Sequence, residues 1–238
     1  MKILHLYHDF MNLYGEWANV RALERLLEKN GISFSTDKLS LGDSFEPEDY
    51  DFIYVGSGTE RNRNVALEHL RPYKDKFGDY IEKGKVALFT GNSFEMLGKS
   101  ITTADDTIIE GLGLLDATVK EQNKTRITSD VIYNADFLSK PLVGFINKCG
   151  RLEISGDKLF DVEYGLGDSE GAKTEGVRKN NLFGTHLTGP ALVKNPHFLV
   201  YLAELLIGQA PDDSSLGYEK AGFEVTLKAL KERAGAER

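Results

Sequence analysis

Val86-Ala87-Leu88-Phe89-Thr90-Gly91-Asn92-Ser93-Phe94-Glu95-Met96-Leu97-Gly98 is the stretch on which the fold of this chain turns. Its first four residues are apolar without alternation, the pattern of a strand covered on both faces, and the run stops at a glycine. The same device stands earlier, where Asp51-Phe52-Ile53-Tyr54-Val55 runs into Gly56-Ser57-Gly58. Residues 2 to 7 make a third short apolar strand, and residues 32 to 39 alternate like a fourth. Helix-length segments lie between them. Val20, Leu23, Leu26 and Leu27 recur at helical spacing before an Asn30-Gly31 stop, and a long polar helical stretch follows Gly58 to about Lys83. Strands separated in this way predict βαβ units, hence an α/β fold with a mostly parallel sheet flanked by helices. Sites in such sheets gather at the carboxyl ends of the strands, so the glycine-bearing ends at Gly56 and Gly91 mark the place to look.

Further along, residues 108–119, 126–133, 142–146, 159–164 and 182–187 are short strand candidates, and the middle third reads as β-rich structure added to the same sheet. Pro196 opens a helix carrying Leu199, Leu202, Leu205 and Leu206. The chain therefore divides into a body at 1–207 and a linker with a C-terminal helix at 208–238. That helix sets Phe223, Leu227 and Leu230 on one face, to dock on the body or, alternatively, on a partner.

Composition narrows the function classes. The chain has 238 residues, enough for one large core, with 13 Phe and 10 Tyr to fill it. A formal net charge of −8 excludes a general nucleic-acid binder, which needs a basic surface. The single cysteine, Cys149, excludes an internal disulfide and a thiolate-rich metal site. No window approaches the roughly 18 apolar residues of a membrane span, and the first apolar run is too short for a signal peptide. A cytoplasmic protein is expected. His5, His8, His69, His186 and His197 show no metal-ligand spacing, so neither a metal nor a cofactor is expected.

Four ordered blocks add a resemblance. Asn12-Leu13-Tyr14-Gly15-Glu16-Trp17-Ala18-Asn19 follows the first strand. Gly56-Ser57-Gly58-Thr59-Glu60-Arg61 follows the third. Asn147-Lys148-Cys149-Gly150-Arg151 lies midway, and Gly184-Thr185-His186-Leu187-Thr188-Gly189-Pro190 precedes Lys194-Asn195-Pro196. In order and spacing, from residue 1 to about 207, the chain resembles the cobyric-acid-synthase type of class I glutamine amidotransferases, and among them the glutaminase subunit of lipid II isoglutaminyl synthase. The corresponding motifs read Asn-Leu-Tyr-Gly-Asp-x-Gly-Asn, a triple glycine followed by Ser/Thr, an acid and Arg, Asn-His-Gly-Gly-Arg, and Gly-Thr-Tyr-Leu-His-Gly-Pro. The resemblance implies a flavodoxin-like sheet. It also implies a substrate site that includes Arg151 and Gly58, and a Mur-ligase-like partner subunit that amidates a cell-wall precursor.

The catalytic groups of such an enzyme are replaced. A glutaminase attacks the side-chain amide with a cysteine thiolate, moves the proton through a histidine and holds the oxyanion on backbone N–H groups. The motif Cys-Gly-Gly-Tyr-Gln-x-Leu-Gly corresponds to Gly91–Gly98, so the nucleophile position falls on Gly91 and the histidine position on Thr188. Thr188 is no general base near neutral pH. A bend residue with φ > 0 costs a non-glycine about 1–3 kcal/mol, which Gly91 avoids.

Three residues are candidate substitutes. Ser93 sits two positions past the bend and is expected to cap the following helix. Cys149 has Lys148 beside it, which can lower a thiol pKa. His186 stands two residues from Thr188, nearly 7 Å along a strand, where it is expected to pack as an aromatic. The favoured reading is a domain without glutaminase activity, kept as a binding or regulatory subunit. Two alternatives stay open: an active amidotransferase or hydrolase with Ser93 or Cys149 as relocated nucleophile, and a small-molecule module holding an amino acid or amide through Arg151.

Overall fold

The apolar runs lie side by side in the computed structural model, which describes residues 1–122, 126–156 and 158–236. The first half of the chain alternates β1 (Lys2–Leu6), α1 (Trp17–Lys29), β2 (Ser35–Leu39), β3 (Phe52–Val55), α2 (Glu60–Leu70), α3 (Lys74–Glu82) and β4 (Val86–Thr90). The middle supplies β5 (Ser100–Thr102), β6 (Ile108–Glu110), β7 (Ala117–Glu121), β8 (Ile127–Asn134), β9 (Leu142–Lys148), β10 (Gly150–Ile154), β11 (Lys158–Tyr164) and β12 (Thr174–Lys179). The chain continues through β13 (Leu182–Thr185), β14 (Leu187–Thr188), α4 (Ala191–Lys194), α5 (Pro196–Ile207) and α6 (Gly217–Ala236).

Ten strands form one sheet in the order β14-β9-β8-β11-β12-β13-β4-β3-β1-β2. Its right half, β2-β1-β3-β4-β13, is parallel throughout, the flavodoxin-like order 2-1-3-4-5. The left half is antiparallel. Successive side chains point to opposite faces of a strand, so each short apolar run feeds two cores. Ile53, Val55, Ala87 and Phe89 face α2 and α3, with Leu67, Leu70, Phe77 and Tyr80. Phe52, Tyr54, Val86 and Leu88 face α1 and α5, with Leu23, Leu26, Leu27, Phe198, Leu199 and Leu202. Coverage on both faces is why these strands carry no polar alternation.

The middle third departs from expectation. Only β8, β9, β11 and β12 extend the main sheet; β10, β7, β5 and β6 build a separate four-stranded one. The segment after β4 explains the split. It is a tight 3-10 stretch from Gly91 to Leu97 rather than an α-helix. Its exit is tied to residues 111–115 by bonds from Leu112 N–H to Met96 O and from Leu114 and Leu115 N–H to Leu97 O. The run 108–119 is accordingly two strands joined by a loop. The polar helix to Lys83 is also two helices, separated by a 3-10 turn at Arg71–Tyr73, where Pro72 has no N–H to give.

At the far end α5 stops at Gly208, whose φ of +76° provides a left-handed cap with its N–H on Glu204 O at 2.8 Å. The tail expected at 208–238 contains α6, which packs Phe223 and Leu230 against Ile132 and Val143; Glu237 and Arg238 lie outside the described residues. Among the described residues no helix is long and apolar enough to cross a membrane. Phe223→Ala removes most of the apolar contact under α6 and is expected to lower stability by about 3 kcal/mol, read from the urea unfolding midpoint.

Candidate functional site

The parallel strands end on one edge, and the glycine-rich turns meet there. β4 ends at Thr90, and Gly91 makes the bend with φ of +62°. A Cβ built on Gly91 would overlap both Oγ and Cβ of Ser57 and would stand 3.2 Å from Cγ2 of Thr188. The two replaced positions therefore face each other across van der Waals distance. The space a side chain at 91 would need is filled by Ser57, which stands where the motif has the middle glycine of three. The substitutions at 57, 91 and 188 interlock.

The neighbouring backbone is engaged as well. Gly58 N–H donates to Asn92 Oδ1 at 3.0 Å, and Asn92 Nδ2 donates back to Gly58 O at 2.9 Å. This reciprocal amide pair is buried and takes a backbone donor beside the bend out of use. The motif has glycine at position 92, which offers no such side chain. Thr188 Oγ1 donates to Phe145 O at 3.1 Å.

Glu16 is the residue the sequence reading missed. It is fully buried, accepting Gly189 N–H at 3.1 Å and Tyr54 OH at 2.6 Å, together with the Thr90 hydroxyl. Burial raises its pKa against the lowering effect of those bonds. The available signal was its acidic position in the Asn-Leu-Tyr-Gly block. Its bond to Gly189 N–H ties the Asn-Leu-Tyr-Gly block to the residue after Thr188.

The substitutes weighed from sequence lie apart from this bend chemistry. Ser93 is fully buried, and its single hydroxyl proton is shared between Thr90 O at 2.8 Å and Val55 O at 3.0 Å. It ties the bend to β3 and caps no helix, because it lies inside the 3-10 segment Gly91–Leu97. Cys149 is half-buried between β9 and β10, and burial, then the carboxylates of Glu60, Glu121 and Glu95, push its thiol up to about 12. Lys148 does not counter this. Its side chain turns inward, where Nζ donates to Gly167 O at 2.7 Å and Asp168 O at 2.6 Å. Arg151 lies on β10, pairs with Glu170 at 2.9 Å and lines a cavity of about 250 Å³ with Gln122, Lys148, Leu166 and Gly167. Gly58 and Gly91 do not line that cavity.

His186 belongs to a buried ionic network that composition could not reveal. Its ring packs on Phe94 at 4.6 Å, while Nε2 meets Glu95 Oε1 at 2.9 Å. Arg63 bridges Glu95 at 2.5 Å and Glu121 at 2.7 Å. Glu175 accepts the Thr185 hydroxyl at 2.6 Å and His186 N–H at 2.7 Å. Burial pushes Glu95 up, but His186 and Arg63 more than offset it and hold it below the usual carboxylate range. Asp168 goes the other way: burial and then Glu175 push it up to about 7. Burial lowers Lys148. Three members, Glu95, Lys148 and His186, stand where the motifs have Gln, His and Tyr.

A flavodoxin-like parallel sheet with its glycine bends gathered at one edge defines a class I glutamine amidotransferase fold. The sequence places the chain within that class: residues 2–196 match the CobB/CobQ-like glutamine amidotransferase domain, and the chain belongs to that family. It is 34% identical over 198 residues to the Streptococcus pneumoniae lipid II isoglutaminyl synthase (glutamine-hydrolyzing) subunit GatD, covering 82% of this chain and 76% of that one. The Staphylococcus aureus subunit of the same name is 32% identical over 204 residues, covering 86% and 83%. Among solved structures, a glutamine amidotransferase from Thermotoga maritima superposes with a TM-score of 0.54 at 14% identity, over 98% of this chain and 97% of that one. Another glutamine amidotransferase reaches 0.57 at 17% identity, over 86% and 98%.

A thiol pushed this high is almost wholly protonated at neutral pH. Iodoacetamide at pH 8 is expected to alkylate Cys149 roughly 50-fold more slowly than a free thiol, and Glu60→Gln to speed the reaction by removing a neighbouring negative charge. Mass spectrometry of the modified chain checks both.

Proposed function

We propose that this chain is a glutaminase-like subunit that hydrolyses no glutamine, and that it serves as the binding or regulatory subunit of a Mur-ligase-like enzyme amidating a cell-wall precursor. The carrying observation is the left-handed bend at Gly91 with Ser57 packed into the space a nucleophile would occupy, opposite Thr188. Amide hydrolysis needs an attacking thiolate, a base and donors for the oxyanion, and each is separately absent or engaged at this bend. Gly91 supplies no atom. Thr188 spends its hydroxyl on Phe145 O. Gly58 spends its N–H on Asn92.

The fold around the bend is fully packed, so the surface that a glutaminase offers to its partner can persist without the reaction. Similarity to the two lipid II isoglutaminyl synthase subunits over most of the chain supports the choice of partner and pathway. The amidating partner then takes its nitrogen from free ammonia. A cytoplasmic setting fits a chain whose one cysteine is free.

Neither relocated-nucleophile alternative gains support, because Ser93 is enclosed by carbonyls and Cys149 is held as a thiol. The small-molecule alternative has one observation in its favour, the cavity beside Arg151. A carboxylate ligand there would exchange with the exposed Glu170 partner. Thermal-shift titration with glutamine, with Arg151→Ala as control, tests it; a stabilisation of several °C lost in the variant would support ligand binding.

The main reading predicts glutamate release at the uncatalysed background, for the chain alone and for its complex with a copurifying Mur-ligase-like protein. It also predicts the order of repair. Gly91→Cys with Thr188→His stays inactive because Ser57 blocks the new side chain, whereas adding Ser57→Gly and Asn92→Gly yields measurable glutaminase activity. Glutamate release by the unmodified chain, abolished by Cys149→Ala or Ser93→Ala, would overturn it.

A further inference from the structure

Beyond the bend, the buried network contains a site with the chemistry of a metal centre. We propose that Asp168, Glu175 and His186 bind a divalent cation of the zinc type, through one carboxylate oxygen from each acid and Nδ1 of the imidazole. One ligand atom from each of the three residues lies within 4.8 Å of the others. His186 Nδ1 stands 3.5 Å from Glu175 Oε1, which matches the roughly 3.4 Å between two ligands held about 2.1 Å from a tetrahedral ion.

The imidazole carries the independent observation. His186 is 1% exposed, and its Nδ1 faces Glu175 Oε1 at 3.5 Å without a hydrogen bond of normal geometry among the described residues. Its other nitrogen is committed. Glu95 is held ionised by Arg63 and can only accept, so Nε2 bears the proton and donates to it at 2.9 Å. A histidine whose outer N–H rests on a carboxylate while its inner nitrogen faces oxygen ligands is the arrangement found around bound metals, where the carboxylate fixes the tautomer and raises ligand basicity. Arg63 and Glu121 in turn fix Glu95.

Charge points the same way. The network encloses four carboxylates, from Glu95, Glu121, Asp168 and Glu175, against two fixed cations, Arg63 and Lys148. Crowding carboxylates in a dry interior is costly, and a cation at the point where two of the acids converge would offset part of that cost. Nitrogen and carboxylate ligands together suit zinc better than calcium or magnesium. The ion would pin β12 and the turn after β13 to the loop at Asp168, stiffening the region beside the bend independently of any glutaminase chemistry.

Because the site is enclosed, the full chain should be unfolded in urea and refolded with zinc chloride, then desalted and assayed for metal. About one zinc per chain is expected to be retained, with a thermal midpoint about 5 °C above that of protein refolded in chelator. Asp168→Asn, which keeps the bond to Gly176 N–H, and His186→Gln are each expected to weaken zinc retention at least tenfold. Should either variant fail to fold, nitrogen-detected histidine spectra of the unmodified chain decide: zinc must move the Nδ1 resonance of His186. Zinc content below a tenth per chain, which would leave protons as the balancing charges, overturns the proposal. Equal retention in the folded variants, or an unmoved Nδ1 resonance, overturns it as well.

Discussion

Where β4 ends, the backbone bends at Gly91 with a positive φ, and the Ser57 side chain fills the space that a Cβ there would need. A residue with a side chain would pay the left-handed penalty and also collide with Ser57, so the constraint is steric twice over. Its neighbours follow from it. Ser93 ties the bend to Val55 on the adjoining strand, and Asn92 ties it to Gly58. The 3-10 segment that leaves the bend then sends the chain out to the small second sheet. The turn at the end of β4 is a packed joint.

Behind that joint the interior has been rebuilt in charged residues rather than apolar ones. Glu95, Lys148 and His186 meet Arg63, Glu121, Glu175 and Asp168 with almost no access to water. Such a network is expensive to desolvate and stays bound together only because its members satisfy one another. Removing one partner would strand a buried charge, so these residues are coupled, and they hold the turn after β13 in place through Glu175. Glu16 does the same on the other side through Gly189. The turn that carries Thr188 is thus held from both sides.

Much of this was legible before any coordinates. Short apolar runs ending in glycine are what strands covered on both faces look like, so the parallel half of the sheet and its functional edge could be read directly. The substitutions at 91 and 188 were visible as letters. The second sheet was not, because strands such as Ile108–Glu110 and Ser100–Thr102 are too short to declare which edge they join, and pairing across distant segments leaves no periodic trace. The inward turn of Lys148 was also hidden: next to Cys149 in sequence, it points across the sheet to Gly167 and Asp168, since neighbours along a strand face opposite ways.

By itself, then, the sequence determined the class of fold and the edge where its parallel strands end, because these depend on periodicity and on chemical identity at aligned positions. Tertiary structure alone decided that Ser57 fills the space beside Gly91, that Asn92 occupies the Gly58 donor, and that Asp168, Glu175 and His186 converge from three separate segments. The physical reason is range. Side-chain patterns report which way each residue faces along its own element, whereas occupancy of a cavity and balance among buried charges depend on which elements are brought within a few ångströms of one another.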